Sequence, residues 1–289
     1  MSLRWRLAQV AFYVNRFSAL ARAERLFDGV GPGTFVERRL FGHRFVCDIG
    51  RSGPQKLLYL LGERYVAEAD LIRSLVKPGM RIVDVGANIG YYVLLFAQLV
   101  GQTGTIVAVE PSPENLPELE LNVVRNKLRN VQIVAQAVGA EKKQVGLLSG
   151  INSGVSMDRQ TPFIVEQELI DNIATERVDL LKIDIEGYES QALLGAISVL
   201  SRERPIIFLE VHPKQLVQYG SSVAEIIETL YRYYEKIIIF EPSQPSGLLG
   251  KAIRYYARRG VKRIADIGTY VERCLDGNVL QPFWIICHL

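Results

Sequence analysis

Residues 82–97 read IVDVGANIGYYVLLFA, and the order of residue types in this stretch decides the fold. Four strand-forming residues, 82–85, carry an acid, Asp84, near their end. A glycine-bounded turn, 86–90, follows, and an apolar run of helical length begins at Tyr91. A buried strand that enters a helix through a glycine turn is the opening of a βα unit. Such units assemble into parallel sheets covered on both faces.

The flanking sequence repeats the pattern. Residues 62–79, GERYVAEADLIRSLVKPG, have helical periodicity and are stopped by Lys77-Pro78-Gly79. Downstream, strands are predicted at Thr105–Val109, at 131–139 (VQIVAQAVG), at 178–187 (VDLLKIDIEG) and at 205–213 (PIIFLEVHP). Helical runs at 112–128, 188–202 and 223–234 separate or follow them. Residues 236–242 (KIIIFEP) and 282–289 (PFWIICHL) read as two more strands, without room for a crossover at their ends, and are expected to pair antiparallel at one edge. Upstream, 34–50 (TFVERRLFGHRFVCDIG) is β-rich, with a turn signal at Phe41-Gly42-His43. The reading is a doubly wound, Rossmann-like α/β domain over 63–289 with a helical and β appendage over 1–62.

The glycine turn is a poor dinucleotide fingerprint. In G-x-G-x-x-G the middle glycine admits a pyrophosphate, but here Asn88 and Tyr91 stand where the second and third glycines belong. Asp84, just before the turn, would repel a diphosphate. No G-x-x-x-x-G-K-[ST] segment is present either. A cationic nucleoside without phosphate fits better, and S-adenosylmethionine (SAM) is one. Asp84 would hold its cationic amino-acid end, and the backbone of Gly86, Ala87 and Asn88 would approach it closely. Gly90 would let the helix pack near the strand. Glu110, ending the second strand, would accept the ribose hydroxyls. Ala137 and Val138, in the third strand, would line the adenine, with Gln136 or its neighbouring backbone reading the ring.

Ligands of open α/β sheets sit outside the carboxyl ends of the strands. The fourth strand there carries Lys182, Asp184, Glu186 and Glu189, and the fifth carries Glu210 and His212. Charged groups are seldom buried without partners. One reading pairs Lys182 with a neighbouring acid and has Glu186 begin a helix; the sharper expectation is that Asp184 and Glu186 face cofactor and acceptor. His212 is the candidate base with a pKa near neutral, with Asp184 and Glu210 as rivals or orienters. Asp184, Glu186 and Glu210 also offer hard oxygen ligands, but no second-shell pattern is legible and no metal is predicted.

With these residues in hand, the chain resembles the FkbM-type SAM-dependent methyltransferases. The matching segments are DVGANIGYY, VEPSPEN, VDLLKIDIEGYE and IIFLEVHP, in that order, and the likeness runs from about Glu63 to His212. The resemblance implies a seven-stranded methyltransferase sheet with an antiparallel last strand. It also implies methylation of a hydroxyl, typically on a sugar of a glycan or glycosylated natural product. By position, Asp84, Gly86, Asn88, Gly90 and Glu110 become cofactor contacts, and Asp184, Glu186 and His212 border the acceptor.

The rest of the chain bounds the setting. It has 289 residues, 48% of them hydrophobic, and a net charge of +3, too mild to argue for nucleic acid. Cys47, Cys274 and Cys287 are scattered, so neither a disulfide framework nor a zinc site is expected. Gln9, Asn15, Arg16 and Arg22 break a secretory-signal pattern near the start, and the expected location is cytoplasmic. Basic residues cluster in segments 1–28 and 248–266, the second within an insertion near 248–280. They suit an anionic membrane face or a phosphate-linked glycan. The alternatives are a non-catalytic SAM-binding protein at the membrane, or an N- or C-methyltransferase acting on a small molecule.

Overall fold

The computed structural model describes residues 27, 29–51, 55–56, 58–59, 62, 66–150, 154–156, 161–242, 261–279 and 281–288. The basic segment 1–28 apart from Phe27, and Lys251, Arg254, Arg258 and Arg259 of the insertion, lie outside them.

The chain opens with a hairpin, β1 (Phe35–Leu40) and β2 (His43–Asp48), antiparallel and in register from Phe35↔Asp48 to Leu40↔His43. Its two-residue loop, Phe41-Gly42, has positive φ at both positions (51° and 75°), which matches the twist of the strands it joins. Helix α1 (Val66–Leu75) ends before Pro78. The expected units follow: β3 (Arg81–Val85), α2 (Tyr91–Val100), β4 (Thr105–Val109), α3 (Leu116–Arg125) and β5 (Val131–Val134).

Residues 131–139 are not one strand. The carbonyl of Val134 accepts from Glu110 N, the chain then turns, and Ala137–Val138 forms β6 in another sheet. That sheet also holds β7 (Lys143–Leu147), β8 (Val155–Ser156) and β9 (Phe163–Glu168), in the order β6-β9-β7-β8. A continuous apolar run looks the same whether one sheet or two receive it, so the break is invisible in the pattern.

A one-turn helix α4 (Ile170–Ile173), strand β10 (Leu180–Ile183), helices α5 (Glu189–Leu194) and α6 (Ile197–Arg202), and strand β11 (Ile206–Val211) continue the alternation. Then come α7 (Pro213–Leu216), a 3₁₀ turn at Val217–Tyr219, α8 (Val223–Tyr231), β12 (Ile237–Pro242), β13 (Val261–Ile264), α9 (Ile267–Leu275) and β14 (Phe283–Cys287).

The main sheet runs β13-β12-β14-β11-β10-β3-β4-β5. Strands β5, β4, β3, β10 and β11 are parallel, and β14 inserts antiparallel between β11 and β12. The last two expected strands do pair antiparallel, but β14 is interior. The expected seven strands become eight because β13, from the basic insertion, pairs antiparallel with β12 at the edge. Its Lys262 stands opposite Glu241, a cross-strand pair of opposite charge, and charged residues blunt an open sheet edge.

Successive strand residues face opposite sides. Val83 and Val85 join one buried cluster, with Leu181, Ile183 and Leu209. Ile82 joins the other, with Leu94 and Phe96 of α2 and Phe45 and Cys47 of the hairpin. Asn122 of α3 ties the hairpin down: its Nδ2 donates to Val46 O and Ile89 O, and its Oδ1 accepts from Val46 N. No helix among the described residues is long and apolar enough to cross a membrane.

Candidate active site

The site forms where β3, β4 and β10 end side by side. After β3 the chain passes through Gly86 (φ 80°), Asn88 (φ 51°) and Gly90 (φ 92°). The amides of Gly86 and Ala87 both donate to Val109 O, closing the turn against the end of β4. At Gly86 a Cβ would meet the Asp184 carbonyl oxygen at 1.9 Å. The bare backbone is thus demanded first by the neighbouring strand, whose chain crosses directly over it.

Glu110 is locked by three donors. Asn88 N donates to its Oε2 (2.8 Å), and Ser112 N (3.0 Å) and Asn115 Nδ2 (3.2 Å) donate to its Oε1. Burial raises its pKa against these hydrogen bonds. A carboxylate has about four lone-pair positions, so roughly one is left for a ligand rather than the pair expected for two hydroxyls.

An open cavity of about 650 Å³ lies above the strand ends. Of the residues chosen from sequence, Gly86, Asn88, Glu110, Gln136, Ala137, Asp184 and Glu186 line it. Val138, also expected from sequence, lines it too, as do Leu147 and Val155 of the small sheet, Asn115, Tyr188 and the apolar strand-end residues Val85, Val109 and Ile185. Sequence reasoning did not find Asn115, Tyr188, Leu147 and Val155. The first two had the signal of lying just after a strand end, whereas Leu147 and Val155 arrive through a sheet that was not foreseen.

Five expected residues, Ala87, Gly90, Asp84, His212 and Glu210, do not line the cavity. Ala87 turns its side chain into a cluster with Val93, Ala108 and Leu119. Gly90 sits under Leu119 of α3, so the close packing it permits is against a helix, not the strand. Asp84 is wholly buried and ion-paired with Lys182 Nζ at 2.9 Å, directly across from it in the β3–β10 register. Lys182 Nζ also lies 4.9 Å from the centre of the Tyr92 ring. Asp84 therefore holds a protein cation where a ligand's was expected. Its partner Lys182 in turn reaches Asp184 Oδ2 at 3.9 Å, at the cavity wall.

His212 is the fourth. It is buried behind the cavity, where its Nδ1 proton is donated to Glu189 Oε1 at 2.7 Å, and that oxygen also accepts from Gly187 N. Its Nε2 faces Glu186 Oε2 (3.5 Å), Asp184 Oδ1 (3.9 Å) and Glu210 Oε1 (3.9 Å). Burial pulls the imidazole pKa down. The hydrogen bond and charge of Glu189, with the charges of Asp184 and Glu210, outweigh that and push it up to about 10. A base titrating near neutrality is thus not what this geometry gives: without another cation, His212 is an imidazolium. Burial, then the charge of Asp184, pushes Glu210 up to about 8. Burial, with the charges of Asp184 and Glu189, raises Glu186 against the pull of His212. Glu186 also adopts φ 54°, a left-handed conformation that non-glycine residues seldom hold and that recurs at functional sites.

A parallel sheet reversing at its middle strands, an acid closing the second strand, and a cavity over both define the class: the Rossmann-like fold of the SAM-dependent methyltransferases. Residues 84–237 match the family model described as the methyltransferase FkbM domain, and the chain belongs to that family. Among characterised proteins it is 34% identical over 59 residues to a protein-L-isoaspartate O-methyltransferase of Methanothrix thermoacetophila, covering 20% of this chain and 28% of that protein. Among solved structures it is similar to an FkbM methyltransferase of Methylobacillus flagellatus KT (17% identity, TM-score 0.44, 66% of this chain and 50% of that one). It is also similar to an SAM-dependent O-methyltransferase of Thermotoga maritima (16% identity, TM-score 0.42, 89% of this chain and 77% of that one). The chain spans between 16% and 46% of the length of the curated relatives it matches.

Proposed function

We propose that this chain transfers a methyl group from SAM to a hydroxyl of a saccharide or glycosylated small molecule. One observation carries the reading: a single cavity joins Glu110, the nucleoside-side acid, to Asp184 and Glu186. SAM, when bound, supplies a methyl group activated by a cationic sulfur. The residues suited to hold it are Glu110 for the ribose, Gln136, Ala137 and Val138 for the adenine, and the Gly86–Asn88 backbone with Asp184 for the amino-acid end.

The acceptor then belongs on the side of Asp184 and Glu186. Carboxylates accept hydrogen bonds from hydroxyls, and the same charges disfavour an anionic reacting group. That argues for a neutral polyol over a carboxylate such as the isoaspartyl group named for the curated relative. Glu186, at the cavity wall with a raised pKa, takes the hydroxyl proton. His212, facing Glu186 and Asp184 from behind, is a positioning residue. Holding the acceptor oxygen in line with the methyl supplies much of the rate.

The test is calorimetric titration with SAM and, separately, NAD, followed by transfer of labelled methyl to a panel of sugars and glycosides. Micromolar SAM binding, no NAD binding and a product stable to mild base (an ether) are expected. No SAM binding would remove the whole reading. A base-labile methyl ester would move the acceptor to a carboxyl group, and a methylamine product would favour a small-molecule amine. The basic segments 1–28 and 248–266 are proposed to touch an anionic surface at the cytoplasmic membrane face. Co-sedimentation with phosphatidylglycerol vesicles that is lost in high salt is the expected outcome.

A further inference from the structure

Beside the cavity, five carboxylates converge on two groups that can carry positive charge, Lys182 and His212. Asp84, Asp184, Glu186, Glu189 and Glu210 lie within one network, and the lysine in it, Lys182, is committed to Asp84 at 2.9 Å. Lys182 reaches Asp184 only through Oδ2, so Oδ1 is left facing the opposite way, toward His212. Buried charges in proteins are paired or coordinate metals.

His212 supplies the second, independent observation. Its ring is fixed by Nδ1, which donates to Glu189 Oε1, and that carboxylate is itself held by Gly187 N. Only 3% of the residue is exposed. Its Nε2 is directed into the carboxylates but makes no hydrogen bond, the nearest oxygens standing at 3.5–3.9 Å. A carboxylate that orients a histidine through one ring nitrogen while the other faces a set of oxygen ligands is the arrangement found behind metal-bound histidines.

The spacing fits as well. Asp184, Glu210 and His212 offer one ligand atom each, all within 4.8 Å of one another. Nε2 is 3.9 Å from Asp184 Oδ1 and from Glu210 Oε1. A point equidistant from three atoms so spaced lies roughly 2.1–2.5 Å from each, the reach of a hard divalent cation.

We infer that Asp184, Glu210 and His212 form a binding site for a divalent cation of the Mg²⁺ or Mn²⁺ class, with Glu189 as the carboxylate that orients the histidine. Two carboxylate oxygens and one imidazole favour Mn²⁺ among hard cations, because the nitrogen suits it better than Mg²⁺. Asp184 lines the cavity, so the ion borders the acceptor side. Its role there rests on the proposed methyl transfer: a Lewis acid at that wall would bind the acceptor hydroxyl and favour its deprotonation. Its binding does not rest on that transfer.

The experiment strips the full chain with EDTA and titrates it with Mn²⁺, following the free ion by electron paramagnetic resonance, with and without SAM. One Mn²⁺ per chain is expected, displaced by excess Mg²⁺, with a nitrogen coupling from directly bound imidazole in the pulsed spectrum. Glu210→Gln and His212→Gln should each weaken binding by about 100-fold, and Glu189→Gln by roughly 10–100-fold. The wild-type spectrum decides the matter even if a variant does not fold. An undiminished free-ion signal up to millimolar Mn²⁺ would overturn the inference, as would a bound ion without nitrogen coupling or one indifferent to Glu210→Gln in a folded chain. Mn²⁺ binding without methyl transfer would leave the site and remove the reaction. Transfer undiminished in EDTA by a chain that binds no Mn²⁺ would do the reverse.

Discussion

Gly86 and Lys182 show how single residues at the strand ends serve the fold before any ligand. A Cβ at Gly86 would collide with the Asp184 carbonyl at 1.9 Å, and its φ of 80° is a left-handed value. Gly101 shares that kind of φ (66°) with open space around it. With ψ at −163° Gly101 sits in a region that only glycine adopts readily, so Gly101→Ala should cost about 1–3 kcal/mol, for strain alone. Gly86→Ala should cost roughly 4 kcal/mol or more, because backbone must shift. Urea unfolding of the two variants gives the comparison, and equal costs would mean that β10 yields freely to β3. Lys182→Met leaves Asp84 buried beside no cation, so a loss of roughly 3–5 kcal/mol is expected. Adding Asp84→Leu in the same chain should restore most of it. If the double variant is no more stable than the single, the pair does more than neutralise itself.

At the scale of elements, the small sheet β6-β9-β7-β8 matters because it walls the cavity through Ala137, Val138, Leu147 and Val155. A bond ties it to the 3₁₀ turn at Val217–Tyr219: Tyr219 Oη donates to Val155 O at 2.6 Å. Tyr219 in turn packs edge-on against Tyr188, another wall residue, with ring centroids 5.1 Å apart. Tyr219→Phe keeps the ring contact and removes the tether, at a cost of about 1 kcal/mol in stability. In turnover it should raise the acceptor KM several-fold with little change in SAM affinity, since Glu110 and the β3 turn are untouched. Matched losses in both constants would place Tyr219 in support of the whole cavity.

Across the whole molecule, the hairpin and the sheet share one of the three buried clusters, and Asn122 joins them with three hydrogen bonds. Asn122→Ala leaves Val46 N, Val46 O and Ile89 O without that partner inside the protein. A loss of roughly 2–4 kcal/mol is expected, on the cost of unmet buried polar groups. Thermal unfolding followed by fluorescence and by far-ultraviolet circular dichroism should still show one shared transition at a lower midpoint. Two separated transitions would show that the hairpin folds as a unit of its own.

Much of this was legible from residue order. The apolar runs around Asp84, Glu110, Lys182 and Glu210 marked parallel strands because both faces of such a sheet are buried. The turn after β3 and the acid after β4 marked the cavity because chain order puts both at the same end of neighbouring strands. What chain order does not carry is the direction and partner of each side chain. Asp84 was read as a ligand contact, but strand register sets it opposite Lys182. His212 was read as a base near neutrality, but its charge state is decided by Glu189, Asp184 and Glu210, which only packing brings around one ring. The split of 131–139 between two sheets, and with it the side of the cavity formed by Ala137, Val138, Leu147 and Val155, likewise belongs to the tertiary structure. Periodicity reports which residues are buried, whereas distances between residues far apart in the chain decide what they are buried against.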